Sequence, residues 1–210
     1  MKKGSLVLGM ASFFILFSQV LSAQFAVRPY VGLNSSKLTE EFVTEGEIKS
    51  DLGLQIGVDF QIGNDWYVQP GVQFEALKNS QIFLPSSAPN STYYELSRSY
   101  LRFPVMAGYR FGEPDGVFAF RIFTGPNVAF KLSGKVGDEG GNLPEEDLAE
   151  NLKSAIFGWN AGVGVNLIKF LFVDVGYQIG LSKVFKEMEG LNSGARNNLF
   201  YGNVGLRLNF

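Results

Sequence analysis

The sequence predicts an all-β chain, an eight-stranded antiparallel up-and-down β-barrel that crosses a membrane with short turns at one end and long loops at the other. Three observations carry this. Segments of about ten residues with two-residue alternation recur along the chain, the signature of a membrane-spanning strand, and no helical period competes over any long span. The connections between the segments alternate between short and long, as in outer-membrane barrels. The third observation is what the apolar faces lack. They comprise about 47 positions, none of them Asp, Glu, Lys or Arg, whereas a random face of a chain that is 18% charged would hold about eight charges. A soluble barrel inverts this arrangement, with its apolar face over a dry core and its charges outside. Here the opposite face is rich in glycine and carries scattered charges, which suits a hydrated lumen.

The chain opens with a targeting signal. Met1-Lys2-Lys3 is a positive start, residues 6–21 are mainly apolar, and Leu21-Ser22-Ala23 is a small-residue cleavage site before Gln24. Residues 1–23 are therefore expected to be a signal peptide and 24–210 one barrel domain of an exported protein; a single membrane anchor is the alternative reading.

The first segment, 26–34, sets Val27, Pro29, Val31 and Leu33 against Arg28, Tyr30 and Gly32. The second, 52–62, opposes Leu54, Ile56, Val58 and Phe60 to Gln55, Gly57 and Asp59, and the third, 66–76, opposes Trp66, Val68, Val72 and Phe74 to Tyr67, Gln69, Gln73 and Glu75. In the fourth, 101–111, Leu101, Phe103, Val105 and Phe111 face away from Arg102, Met106 and Arg110; in the fifth, 118–130, Phe118, Phe120, Ile122 and Val128 face away from Arg121, Phe123 and Asn127. The sixth (157–167) and seventh (171–181) contrast Trp159, Val163, Val173 and Ile179 with Gly158, Asn160, Gly164, Asp174 and Gln178. The eighth, 200–210, contrasts Phe200, Val204, Leu206 and Phe210 with Tyr201, Asn203 and Arg207, and must pair with the first to close the barrel.

Short connections are Gly63-Asn64-Asp65, residues 112–116 and Ile168-Lys169-Phe170; the long ones span 35–51, 77–99, 131–156 and 182–199. Pro144 with Glu145, Glu146 and Asp147 suits one helical turn in the third long loop. Aromatics gather near the segment ends as interface girdles, Phe60, Trp66, Phe111, Phe118 and Phe210 at one end and Phe74, Phe103, Phe130, Phe157 and Trp159 at the other. Pro29, Pro70, Pro104 and Pro126 fall inside segments and each removes a ladder donor, so bulges or ladder breaks are expected there.

Eight strands enclose a lumen that side chains just fill, which argues against transport of large solutes. The inward charges Arg28, Asp59, Glu75, Arg102, Arg110, Arg121, Asp174 and Arg207 are expected to form a structural network of ion pairs. Within it Asp174, Arg207, Arg28 and Asp59 lie near the short-turn end, Glu75 lies beside Arg102, and Arg110 and Arg121 reach towards Asp59. An ion or proton path is the functional alternative.

The net charge of −2 points to no nucleic acid, and the absence of cysteine excludes disulfides and thiolate metal sites. The absence of histidine removes the base that outer-membrane lipid A deacylases, phospholipases and omptin-type proteases use to activate a nucleophile. No catalytic, cofactor or metal residue is assigned. The acidic run Asp138-Glu139 with Glu145, Glu146 and Asp147 lacks the spacing of a calcium loop, and the sequons at Asn34 and Asn90 are weak signals.

The stretch Tyr100-Leu-Arg-Phe-Pro-Val-Met-Ala-Gly-Tyr-Arg-Phe111, with Gly125-Pro126, the 158–167 segment, Asp174-Val-Gly-Tyr177 and the 201–210 segment, resembles the PorT-like eight-stranded outer-membrane barrels of Bacteroidota-type bacteria. The resemblance covers essentially the whole chain after residue 23. It implies an integral protein of a Gram-negative outer membrane, surrounded by outer-membrane lipid and inserted by the barrel-assembly machinery, with Phe210 as the assembly signal. It also implies a structural or interaction role accessory to type IX-like protein secretion or envelope maintenance, through a secretion-system or envelope partner that the sequence does not name. A narrow ion-permeable channel is the transport alternative, and a lipid-modifying enzyme the more distant one.

Overall fold

Two-residue alternation folds into strands β1 (Phe25–Thr39), β2 (Lys49–Ser50), β3 (Leu52–Gly63), β4 (Trp66–Phe83), β5 (Tyr93–Phe111), β6 (Phe118–Asp138), β7 (Ala155–Leu167), β8 (Leu171–Gly180), β9 (Arg196–Leu206) and β10 (Leu208–Asn209). The computed structural model describes residues 24–39, 49–50, 52–83, 93–113, 116–138, 152–184 and 196–210. The expected signal peptide, the helical turn at 144–147 and the sequon at Asn90 lie outside these residues. Every pairing is antiparallel, in the order β1, β3, β4, β5, β6, β7, β8 and β9, and β9 and β10 return to β1. β2 pairs with β4 as β3 does, and β10 continues β9, so the sheet closes as an eight-stranded barrel.

Each strand keeps the register that its apolar face implies. Arg28, Glu75 and Arg121 are fully buried inside, whereas Ile56, Val105, Phe157 and Phe200 are exposed on the outer wall. That is the reverse of a soluble barrel, and an apolar outer band of this extent needs a non-aqueous surrounding. The wall is bordered at the short-turn end by aromatic contacts. Phe25 lies 6.4 Å from Phe60 and 6.1 Å from Phe210, and Tyr109 lies 4.9 Å from Trp66 and 4.7 Å from Phe111. One polar group on this face is satisfied locally: Trp159 Nε1 donates to Thr124 Oγ1 at 2.8 Å, and Thr124 donates to the Asn160 carbonyl at 2.8 Å.

Each of the four in-strand prolines coincides with a gap in one ladder. The β1 ladder to the last strand skips from Val27–Leu208 to Tyr30–Gly205, opposite Pro29. At Pro70 the β3–β4 ladder skips from Asp59–Gly71 to Ile62–Val68. At Pro104 the β4–β5 ladder skips from Pro70–Val105 to Gln73–Arg102, and at Pro126 the β5–β6 ladder skips from Pro104–Asn127 to Ala107–Thr124. Pairing on the other side is retained in every case, as Pro29–Val58, Pro70–Val105, Pro104–Asn127 and Pro126–Trp159. A residue without an N–H gives up one neighbour and keeps the other.

The long loops are shorter than the sequence suggests. β1 continues to Thr39, β4 to Phe83 and β6 to Asp138, while β5 starts at Tyr93 and β9 at Arg196. A membrane crossing needs about ten residues, so β4, β5 and β6, with 18, 19 and 21 residues, run on past the apolar band. There the outer face leaves the apolar band and exposes Lys78 and Ser133, so alternation no longer has to be apolar against polar and the periodic signal fades. β6 also carries a bulge, since Ser99–Ser133 is followed by Tyr100–Lys131 and leaves Leu132 as the extra residue.

Candidate functional site

Among the described residues, the lumen is where the fold gathers polar and charged side chains. Its glycines do not leave open space. A Cβ on Gly57 would meet the Tyr30 ring, on Gly108 the Tyr67 ring, on Gly162 the Phe123 ring, on Gly176 the Tyr201 ring and on Gly205 the Phe172 ring. Aromatic side chains thus occupy the space over glycines of the adjacent strands and fill what the sequence suggests is a hydrated channel.

Across this aromatic lining runs a closed ring of four polar side chains. Arg28 on β1 donates to Gln69 Oε1 on β4 at 2.6 Å and reaches Asp174 Oδ2 on β8 at 3.2 Å. Arg121 on β6 donates to Gln69 Oε1 at 3.4 Å and pairs with the other oxygen of Asp174. Strands β1, β4, β6 and β8 are alternate members of the eight-stranded circle, so the four groups form a square spanning the cross-section. Arg28 also lies 3.8 Å over the Phe172 ring, a cation–π contact. Gln69 Nε2 donates to Asp59 Oδ2 at 2.7 Å, tying that acid to one corner.

Towards the long loops a second layer follows. Arg102 Nη2 lies 2.5 Å from Glu75 Oε2, Arg102 also donates to Asn127 Oδ1, and Asn127 Nδ2 donates to Asn160 Oδ1 at 3.1 Å. Tyr30, Gln73, Gln55 and Asn203 link the layers, with Tyr30 donating to Gln73 at 2.9 Å, Gln73 to Gln55 at 3.2 Å and Gln55 to Asn203 at 2.5 Å. Beyond them Leu77, Tyr100, Ala129, Ile156, Leu199 and Tyr201 form a buried apolar cluster. Between the layers is a cavity of ≈ 20 Å³ that borders Asp59, Arg102, Asp174 and Tyr201, room for about one water molecule.

A barrel with its charges inside, its apolar residues outside and aromatics at its rim has the chemistry of a bilayer-embedded wall. The profile of the outer membrane protein beta-barrel domain family matches residues 17–186. The chain belongs to this family. It is an outer-membrane protein, and the short turns of such barrels face the periplasm while the longer loops face outward. Among solved structures the chain is similar to Ail, the attachment invasion locus protein of Yersinia pestis, crystallised with the heparin analogue sucrose octasulfate: 11% identity, 90% of this chain and 99% of that one, TM-score 0.46. It is similar also to Neisserial surface protein A (16% identity, 89% and 97% covered, TM-score 0.48) and to OprG of Pseudomonas aeruginosa (10% identity, 90% and 96% covered, TM-score 0.45). No curated protein matches the chain.

All eight charged residues singled out from the sequence of this outer-membrane barrel are buried within it. The partners differ in part. Arg121 goes to Asp174 and not to Asp59, because β6 and β8 flank β7 and bring those side chains together, whereas Asp59 is held by the nearer Gln69. Arg207 donates to Gln24 Oε1 at 3.5 Å, at the rim. Arg110 lies 6.0 Å over the Tyr67 ring. Arg98, buried near Ser36, completes the set of buried charges among the described residues and falls outside the predicted segments. The amides Gln55, Gln69, Gln73, Asn127 and Asn203 are equal members of the network that charge alone does not reveal; their place on the inward face is the signal that marks them. Asn34 is also inside, donating to Gln55 at 3.4 Å, which places that sequon in the lumen wall.

Proposed function

We propose that this outer-membrane barrel is a structural or interaction protein that works through its outward loops and periplasmic turns and passes no solute. The Arg28–Gln69–Arg121–Asp174 square carries this reading, because its four corners lie on alternate strands and close the cross-section on themselves. The Arg102–Glu75 layer and the apolar cluster beyond it support it. Planar-bilayer recording of the folded full chain is the test: no resolved openings are expected, and steady single-channel currents would favour the narrow-channel alternative.

Within this role, assistance to type IX-like secretion or envelope maintenance rests on the PorT-like resemblance of residues 100–111 and their companions. Assembly through the barrel-assembly machinery rests on the same ground, as does export by a signal peptide over 1–23. Deletion of the gene should change the exported proteome or the detergent sensitivity of the envelope, and crosslinking in intact cells should capture the partner. If neither phenotype moves, the accessory role fails. The lack of histidine and the absence of a paired-carboxylate motif support a non-enzymatic reading.

A further inference from the structure

Among the described residues, two of the buried acids are held by arginines and one is not. Glu75 and Asp174 form ion pairs, whereas Asp59 accepts a single hydrogen bond, from Gln69 Nε2 to Oδ2 at 2.7 Å. Its other oxygen lies over Gly71 of the adjacent strand, in the space that a Cβ there would take. A buried carboxylate oxygen without a donor is costly. Asp59 borders the ≈ 20 Å³ cavity between the two polar layers, so the missing donor has a place to stand.

Two further polar groups border the same cavity. Gln178 is 2% exposed and Tyr201 7%, and among the described residues neither the Gln178 amide nor the Tyr201 hydroxyl has a hydrogen-bond partner. The volume exceeds the roughly 10–15 Å³ that one water occupies, and a buried water makes about three hydrogen bonds. The wall opposes ions of either sign. Asp59 and Asp174 repel an anion, while Arg102 and the two arginines that hold Asp174 repel a cation. A small neutral molecule that both donates and accepts satisfies every group at once.

We propose that this cavity is a binding site for one ordered water, which donates to Asp59 Oδ1 and accepts from Gln178 Nε2 and the Tyr201 hydroxyl. The water takes the place that an arginine has at the other two acids. Asp59 is then hydrogen-bonded through both oxygens with no charge added to the lumen. The site rests on the closed lumen proposed above, since an open one would fill with freely exchanging solvent.

Hydroxyl radicals made by X-rays from water in place oxidise the side chains that touch it, so an internal water marks residues that bulk solvent does not reach. With the full chain in detergent micelles, residues of one type are compared. Tyr201 and Phe123 border the cavity, whereas Tyr100 and Phe172 are buried away from it. The first two should be oxidised severalfold faster than the second two. Gln178→Leu with Tyr201→Phe removes both donors and should bring Phe123 down to the Phe172 rate, with heat-modifiable gel mobility verifying that the variant is folded. Equal rates in wild type would mean a dry cavity and overturn the proposal while leaving the lumen closed. Unchanged Phe123 oxidation in the folded variant would overturn the assigned partners. Loss of Phe123 oxidation when sodium chloride replaces choline chloride would give the site to a cation. After rapid mixing into heavy-oxygen water, the label should reach Phe123 later than the exposed turn residue Phe170; simultaneous arrival would overturn both this proposal and the closed-lumen reading.

Discussion

Glu75 and Arg102 meet where the lumen excludes solvent, with side chains 0% and 1% exposed. Removing one member of such a pair leaves the other charge without its counter-ion, which typically loses about 3–5 kcal/mol, whereas replacing both with apolar residues of similar volume is often close to neutral. Glu75→Ala is therefore expected to lose about 3–5 kcal/mol in urea unfolding from detergent micelles. The double variant Glu75→Leu with Arg102→Met should lose less than that single one. A double-variant loss as large as the single one would sink this account, and would mean that the pair contributes more than its own desolvation. The same logic governs Asp174, whose two oxygens are divided between two arginines. Gly164 leaves the space its carboxylate needs, since a Cβ there would collide with Asp174 Oδ1.

At the scale of the element, the β7–β8 turn has a strain that its neighbours avoid. The other two short turns place glycines, Gly63 and Gly112, at positive φ, whereas this one holds Ile168 at φ 53° and Lys169 at φ 64°. A β-branched residue in the left-handed region is an outlier that costs about 1–2 kcal/mol, and asparagine is tolerated there. Ile168→Asn should thus raise stability by about 1 kcal/mol, measured in the same unfolding experiment; no gain would mean that the exposed Ile168 side chain contributes as much through the bilayer interface as its backbone loses. The position of this turn is legible in the sequence, because the flanking alternation stops on both sides of it, but its backbone is not, because no glycine marks it. The strands divide in the same way. Where one face meets lipid, exclusion of charge reads out both element and register, as at Phe118 to Phe130. Where the outer face leaves the lipid, as at Lys131 to Ser133, no such constraint acts and the strand reads as loop. The lumen is legible as far as which residues face inward. Which of them touch is set by side chains crossing between alternate strands, as Arg28 and Arg121 do to Asp174, and a height along one strand does not give that.

For the molecule as a whole, the lumen is closed at two levels in series, by the polar square near the short turns and by the Arg102–Glu75 layer with its apolar cluster near the long loops. Series barriers predict a specific pattern of conductance. Arg28→Ala with Arg121→Ala opens the first level alone, and Arg102→Ala with Leu199→Ala opens the second alone; in planar bilayers both pairs should stay as silent as wild type. Only the fourfold variant should conduct. Its selectivity follows from the buried charges of the described residues. Wild type holds six arginines (Arg28, Arg98, Arg102, Arg110, Arg121, Arg207) against Asp59, Glu75 and Asp174, and the fourfold variant keeps three of those arginines against the same three acids. A positive lumen draws anions and a balanced one prefers neither sign, so the reversal potential in a potassium chloride gradient should lie near zero. Openings in either twofold variant would show that one level is leaky and that the plug is single. A strongly anion-selective fourfold variant would show that Arg98, Arg110 and Arg207 at the two mouths, and not the balance along the lumen, decide which ions enter.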